Sequence, residues 1–507
     1  MAPVFDVTAS SARGAFAAID LGSNSFRLEV GRMASGRYRR DDYLKEMVRL
    51  GGYLDEQAML TAAAFERGLA SLTAFARRLQ GFDPERVRAV ATQTLREARN
   101  RDEFLRAAQR VLGYPIEVIS GREEARLIYS GVSFLQPSEQ SRLVADIGGR
   151  STELIRGQGS TALAAESFPV GSVSLSMRYF GDGRMSSQAF RAAQIAAGAE
   201  FEEAMAEFAP SLWTEALGSS GTVGAVSHAL RESGATDGSI TAAALAGLIE
   251  RCIEAGHVDR LQLPGLRDDR RAVIPGGLAI LYTLLTHFGI EQMRPAKGAL
   301  RQGVIVDLHE RLLAMRPGAQ GQDARDVTVA SLQNRFAVDT EQAHRVRDTA
   351  LQLHDAVWHE ADPQARRELA WACDLHELGL AVSHHDYHRH SAYLMANLDA
   401  PGFSQSQQRR IGQLMLAQRG GLRKVEDALG EPSFAWQVLC LRLAVIRCHA
   451  RGIQPSVGYR LTRRNGRVAV LGLDPDRATP SLRTLHLLRE EVQAWERQGT
   501  LRLELAQ

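Results

Sequence analysis

Two stretches of this chain place an acid just ahead of a small, polar, glycine-led turn. Residues 18–30 read AIDLGSNSFRLEV and residues 144–155 read VADIGGRSTELI. They align without a gap: Asp20 with Asp146, Gly22 with Gly148, Ser25 with Ser151, Leu28 with Leu154. In each, apolar residues lead into the acid and alternation resumes after the turn, the pattern of a β-hairpin whose tip carries a carboxylate. Small residues at such a tip leave backbone N–H groups free to converge on one oxyanion, as glycine-rich loops do on phosphate. Either stretch alone is equally well an ordinary polar hairpin. Carried twice, at a spacing too long for a solenoid unit, the pattern reads as two duplicated domains. Two such hairpins facing across a cleft would clasp a phosphate chain while their carboxylates hold a hydrated Mg²⁺.

Three further segments supply candidate chemistry. In PIEVISGREEARLIYSGV, residues 115–132, a strand runs into a helix, and Ser120 and Glu123 have capping-box spacing. Glu123 thus has a structural task and Glu124 has none. Aimed into a phosphate cleft beside other acids, Glu124 would have a raised pKa and could take a proton from water. On spacing alone, a solvated first-turn acid is the simpler reading. In AVATQTLREARN, residues 89–100, Arg96 falls in the first turn of a helix, where a guanidinium can bind a phosphate with two parallel hydrogen bonds, although a surface arginine is the commoner outcome. GSSGT, residues 218–222, is a third strand-to-helix turn able to bind an anion, and a frequent turn composition besides.

The elements that must position these residues follow from the pattern. From 15 to about 135 strands and helices alternate: the 18–30 hairpin, a helix from about Ala62 to Leu79, the strand Val87 to Ala91, a helix after Thr94, the strand Ile116 to Ile119 and a helix from Gly121. Such alternation predicts an α/β layer fold. It restarts at 142 and runs through a helical stretch near 187–208, the strand Glu215 to Leu217 and helices to about 312. MRPGAQGQDAR, residues 315–325, has no apolar period and marks a boundary. Beyond it, helices are predicted at 326–360, 364–380, 391–399, 404–418 and 433–449, then a hairpin turning at Asn465-Gly466, then a helix over 480–496. The predicted organisation is a loose tail 1–14, α/β domains 15–135 and 136–314, a linker 315–325, a helical domain 326–452 and a small α+β module 453–507.

Composition bounds the function. At 507 residues the chain exceeds one hydrophobic core, and its 45% hydrophobic and 24% charged residues are those of a globular protein. A net charge of +2 gives no general attraction for polyanions, so nucleic acid is not an expected partner. No apolar run reaches the ~20 residues of a membrane span, and MAPVFDVTASSARG lacks a signal-peptide core, so the expected location is cytoplasmic. Cys252, Cys373, Cys440 and Cys448 have no CxxC spacing and are expected to pack as small apolar residues.

In their order, AAIDLGSNSFRLEV, ATQTLREARN, EVISGREEARLIYSGV, LVADIGGRSTELI, ALGSSGT and VIPGGLAIL, over residues 17–281, resemble the exopolyphosphatase and guanosine pentaphosphate phosphohydrolase family. DLHELGLAVSHHDYHRHSAYLMAN and LRLAVIRCHARG resemble the helical second half of its long members. The resemblance implies two duplicated actin-like domains of the sugar-kinase and heat-shock ATPase type, then an all-helical HD-like domain and a small α+β module. It implies that Glu124 is the general base, that Arg96 grips the terminal phosphoryl group, and that Asp146 and Glu153, with Asp20, hold Mg²⁺. Phosphate would bind at Gly22, Ser23, Asn24 and Ser25, at Gly148, Gly149, Arg150, Ser151 and Thr152, and at Ser220, Gly221 and Thr222. Arg150 departs from the family, which has glycine there. A homodimer is expected from the resemblance alone. Eight of fourteen histidines lie between His344 and His390, yet His376-Glu377 stands where HD enzymes carry His-Asp, so a structural helical domain is expected rather than a metal centre.

The reading reached from the sequence is Mg²⁺-dependent, processive hydrolysis of the terminal phosphoanhydride of inorganic polyphosphate. A polymer needs cations outside the cleft, and Arg409, Arg410, Arg419, Arg423, Lys424, Arg463, Arg464 and Arg467 are the expected track, although each taken singly reads as a solvated surface residue. The same machinery acting on guanosine pentaphosphate is the alternative. A small-molecule kinase of the same fold and a silent sensor are remoter ones.

Overall fold

In the computed structural model, residues 14–316, 321–358, 362–451, 458–473 and 481–506 are described. Residues 1–13 of the predicted tail, and residues 317–320 of the predicted linker, lie outside them. The chain divides into two compact units, Met1–Asp323 and Ala324–Gln507.

In the first unit, β1 (Phe16–Leu21) is buried along its whole length because it is a central strand. It pairs antiparallel with β2 (Phe26–Ala34), which pairs with the edge strand β3 (Arg37–Glu46). On its other side β4 (Val87–Ala91) and β5 (Ile116–Val118) add in parallel. Parallel neighbours need crossovers, and the helices Ala62–Arg78 and Arg101–Leu112 supply them. The pattern then repeats. β6 (Ser141–Ile147), β7 (Thr152–Gln158) and β8 (Thr161–Phe168) form the second antiparallel meander, and β9 (Glu215–Ser219) and β10 (Met293–Pro295) extend it in parallel. The orders β3-β2-β1-β4-β5 and β8-β7-β6-β9-β10 are the same topology, so the alignment of the two hairpins reflects a duplication of the whole sheet.

Two helices bind the sheets together. Gly121–Leu135 and Leu300–Ala314 pack so closely that a Cβ on Gly303 would lie 1.7 Å from the Leu127 carbonyl oxygen, and one on Gly131 2.4 Å from that of Ala299. Only glycine permits this approach. Their apolar faces share one core with Phe16, Ala18 and Val90 of the first sheet and Val144, Ile155 and Leu217 of the second.

The second unit is helical, with its core around Trp371, Phe403 and Trp436. The stretch expected as one helix over 326–360 is two, Ala324–Arg335 and Thr340–Val357. Ala337 takes a φ of 49° and Asp339 caps the second helix by accepting from Gln342 N at 2.9 Å, which forces the break. β11 (Tyr459–Asn465) and β12 (Val468–Leu473) form the expected hairpin, with Asn465 Oδ1 accepting from Arg467 N and Val468 N. β13 (Arg502–Leu505), which the sequence reading did not foresee, adds in parallel beyond the last helix. Among the described residues no helix is long and apolar enough to cross a membrane.

Candidate functional site

The two hairpin tips meet. A Cβ on Gly149 would lie 3.1 Å from Ser23 Cβ and 3.6 Å from Asn24 Cβ, so the turns are in near contact. Around them runs a cleft lined by Asp20, Gly22, Ser23, Asn24 and Ser25 from the first tip, Asp146, Gly148, Gly149 and Ser151 from the second, and Ser220, Gly221 and Thr222 from the third turn. Ser220 opens its helix at a φ of 91°, a strained backbone of the kind that collects at ligand sites. Its Oγ accepts from Thr222 N at 3.2 Å, and Thr222 Oγ1 donates to the Ile147 carbonyl at 3.2 Å, joining the second and third turns.

Glu124 also lines this cleft. Ser120 caps its helix, accepting from Glu123 N at 3.2 Å, while the Glu123 carboxylate binds Arg126 at 2.7 Å and lies 3.7 Å from Arg88. Glu124, one position on, is 8% exposed and turned to the cleft. Burial raises its pKa from 4.5 to about 7; Arg96, 2.8 Å away, opposes the rise, and the charges of Asp20 and Asp146 add to it. Arg96 itself does not line the cleft. Its Nε and Nη2 donate to Gln93 Oε1 at 2.9 and 2.6 Å, and its Nη1 to the Ile119 carbonyl at 3.0 Å and to Glu124. The guanidinium expected to grip phosphate is therefore occupied in holding Glu124.

Burial also pushes up the pKa of Asp20 and Asp146, with Asp20 adding to the rise at Asp146. Two carboxylates crowded in one cleft suit a divalent cation that keeps most of its waters and takes its remaining ligands from phosphate. Glu153, 1% exposed, lies off the cleft surface and accepts from Ser167 Oγ at 2.8 Å. Its pKa is raised well above the usual carboxylate range by burial and by the charges of Glu124 and Asp146. Thr152 is fully buried and donates to the Val170 carbonyl at 2.6 Å, away from the cleft. Arg150 likewise turns away, to Glu97 and the Gly51 carbonyl.

Sequence reading missed three cations of the cleft: Arg27, Arg270 and Arg301. Arg27 donates to Ser25 Oγ at 3.0 Å and pairs with Asp20 in the β1–β2 register, the position that Glu153 holds opposite Asp146 in the second hairpin. The repeat alignment could have found it. Arg301 is held by buried Glu29 at 3.1 Å, lies over the Tyr43 ring and stands 3.7 Å from Asp20. Arg270 comes from a short helical turn, and a Cβ on Gly221 would lie 2.1 Å from its Nη2. Burial and the Arg27 charge lower its pKa, and burial, Arg270 and Arg27 lower that of Lys45. Arg27, Arg270 and Lys45 repel one another, and Asp269, 3.8 Å from Lys45, offsets part of that repulsion.

In the second unit the expected track is largely committed elsewhere. Arg410 binds Glu368 and Glu431, each at 2.6 Å, and Arg463 lies over the rings of Trp358 and Trp436. Arg464 pairs with Glu504 at 3.0 Å, Lys424 donates to the Arg419 carbonyl at 2.6 Å, and Arg419 lies over Tyr387. Arg409, Arg419, Arg423, Arg464 and Arg467 are exposed. His376 is buried and donates from Nδ1 to the Cys373 carbonyl at 2.7 Å, with its pKa lowered by burial. Among the described residues no three His, Cys, Asp or Glu side chains are gathered to hold a metal.

Residues 42–312 match the Ppx/GppA phosphatase family, and residues 324–474 match Ppx/GppA phosphatase, domain III. A guanosine-5'-triphosphate,3'-diphosphate pyrophosphatase of Aeromonas hydrophila subsp. hydrophila is 39% identical over 444 residues, covering 86% of this chain and 88% of that protein. Among solved structures, an exopolyphosphatase-like protein (24% identity, TM-score 0.53) covers 59% of this chain and 98% of its own. An exopolyphosphatase from Cytophaga hutchinsonii (21% identity, TM-score 0.51) covers 60% and 100%. These two share the fold.

Proposed function

The chain belongs to the Ppx/GppA phosphatase family, a family of phosphoanhydride hydrolases, and we propose that its substrate is guanosine pentaphosphate, from which it removes the terminal 5′-phosphoryl group. The observation that carries this reading is the presence of Arg27, Arg270 and Arg301 in the same cleft as Glu124. One terminal phosphoryl group does not need three extra guanidinium groups. A nucleotide bearing a second, separate diphosphate would bring further anionic groups to Arg27 and Arg270, while Arg301 already has Glu29. The similarity to the Aeromonas pyrophosphatase points the same way. Polyphosphate, the first reading of the sequence, also carries many charges, but a polymer needs cations beyond the cleft, and most of the expected ones are already engaged within the second unit.

Glu124 in its ionised form orients a water for in-line attack on the terminal phosphorus. The new bond joins water oxygen to phosphorus as the phosphorus–bridging-oxygen bond breaks, the water proton passes to Glu124, and the bridging oxygen leaves on the nucleotide. Because the transition state is loose, positioning and charge stabilisation dominate. The two tips bring Ser23, Asn24, Ser25 and Ser151 to the cleft, where they would meet the phosphate oxygens. Arg96 keeps Glu124 ionisable in a site that otherwise favours the neutral acid. Asp20 and Asp146 would hold Mg²⁺, which when bound neutralises charge on the phosphate oxygens.

Phosphate release from guanosine pentaphosphate, long-chain polyphosphate and ATP, side by side with and without Mg²⁺, tests the proposal. We expect the highest kcat/KM on guanosine pentaphosphate. A higher value on long polyphosphate returns the polymer reading.

A further inference from the structure

Arg150 is the residue of the second turn that departs most from its repeat partner, Asn24. Its side chain leaves the turn and crosses to the first lobe. There Nε and Nη2 donate to one Glu97 oxygen at 3.0 and 2.7 Å, and Nη1 donates to the Gly51 carbonyl at 2.9 Å. Gly51 makes room for it, since a Cβ there would lie 2.8 Å from Arg150 Cδ. The segment around Gly51 is bound in turn to the first phosphate turn, with Gly51 N donating to the Ser23 carbonyl and Arg49 N to that of Asn24, both at 2.8 Å. One guanidinium thus ties both turns together.

The same contact leads to the base. The other Glu97 oxygen accepts from Gln93 Nε2 at 2.5 Å, Gln93 Oε1 accepts from Arg96 at 2.9 and 2.6 Å, and Arg96 donates to Glu124 at 2.8 Å. The chain Arg150, Glu97, Gln93, Arg96, Glu124 is unbroken. Its polarity is self-consistent: Glu97 claims the NH₂ of Gln93, which leaves the amide oxygen for Arg96, whereas the flipped amide would set oxygen against carboxylate and NH₂ against guanidinium.

We propose that Arg150 is a positioning residue, which holds the two phosphate turns at their working separation and, through Glu97 and Gln93, sets Arg96 against Glu124. The inference rests on Glu124 as the base. Loss of Arg150 frees Glu97 and Gln93, loosens Arg96, and leaves Glu124 with a weaker cation and a larger neutral fraction at neutral pH. A phosphate-binding arginine would instead show its loss in substrate affinity.

Steady-state phosphate release is measured from pH 5.5 to 10 on guanosine pentaphosphate and, in parallel, on polyphosphate of defined length, so that the choice of substrate does not enter. Glu124→Gln is the control. If it keeps wild-type turnover on both, the base reading falls and this proposal with it. If it is inactive, the Arg150 variants decide alone. Arg150→Gly is expected to lower kcat by about tenfold or more, the scale of a displaced catalytic group, with KM changed less than about threefold. The acid limb of kcat/KM should move up by roughly half to one pH unit, as a weakened ion pair requires. Glu97→Gln, which keeps shape and so guards against misfolding, should do the same. Their combination should be no worse than the worse single variant, the mark of residues acting in one chain. A tenfold rise in KM with kcat and limb unchanged would make Arg150 a phosphate ligand. Additive effects would break the chain, and unchanged kinetics in folded variants would reduce the contact to a surface ion pair.

Discussion

Removing Arg96 should move the pH dependence of the reaction in a direction that its loss as a phosphate grip would not. In the folded protein burial lifts Glu124 from 4.5 to about 7, against the opposing charge of Arg96 at 2.8 Å. The lift corresponds to roughly 3 kcal/mol in favour of the neutral acid. A unit cation about 4 Å away at an effective dielectric constant of about 20 contributes on the order of 4 kcal/mol to holding the charge, so its removal adds about one to three pH units to the carboxyl pKa. Arg96→Gln keeps a hydrogen-bonding side chain of similar reach and deletes the charge. The acid limb of kcat/KM, which reports the free enzyme, should therefore sit near 7 in the parent protein and above about 8 in the variant. The assay is initial-rate phosphate release at subsaturating guanosine pentaphosphate across that range, with circular dichroism to establish folding. A folded variant whose rate falls uniformly, with the limb still near 7, would refute the placement of Arg96 as the partner of Glu124.

Other consequences follow from the same geometry. Asp20→Asn and Asp146→Asn should each raise the Mg²⁺ concentration giving half-maximal rate, because each removes charge from the site that fits the ion; unchanged titrations in both would move the metal elsewhere. The folded pKa of Glu124 lies above its unfolded value, so its contribution to stability is fully present below about 4.5 and is lost as pH rises through about 7. Thermal midpoints of the ligand-free protein should accordingly fall between pH 5 and pH 8, and Glu124→Gln should flatten that fall; an equal slope in the variant assigns it to other groups. Arg410→Ala removes the cation 2.6 Å from buried Glu368, leaving it the Gln364 amide, and should cost roughly 3 kcal/mol in denaturant unfolding without changing affinity for polyphosphate chains. Unaltered stability with weakened polymer binding would restore Arg410 to a polymer track.

The parts of the site that were legible in the sequence are those whose physics is local. Apolar alternation broken by Asp20-Leu21-Gly22 or Asp146-Ile147-Gly148 describes a hairpin tip before any partner is known. Capping arithmetic at Ser120 and Glu123 sets Glu124 apart, although the structural task of the Glu123 carboxylate is to bind Arg126 and face Arg88. Arg96 was legible as a residue and not as a role, because its guanidinium answers to Gln93 one turn away and to the Ile119 carbonyl on a different strand end. Arg150 is the same case, since nothing beside it in sequence announces Glu97 or Gly51. Nor does local pattern show that Leu300–Ala314 returns to pack on Gly121–Leu135, because the closeness depends on Gly131 and Gly303 meeting. That return is what delivers Arg301 to Glu29 and to the cleft. The motifs that announce phosphate chemistry are thus contributed by hairpin tips and helix starts. The cleft cations Arg27, Arg270 and Arg301 come from a strand position, an irregular turn and a returning helix. The sequence reading could therefore reach the reaction class while passing over three cations that the fold brings to the cleft.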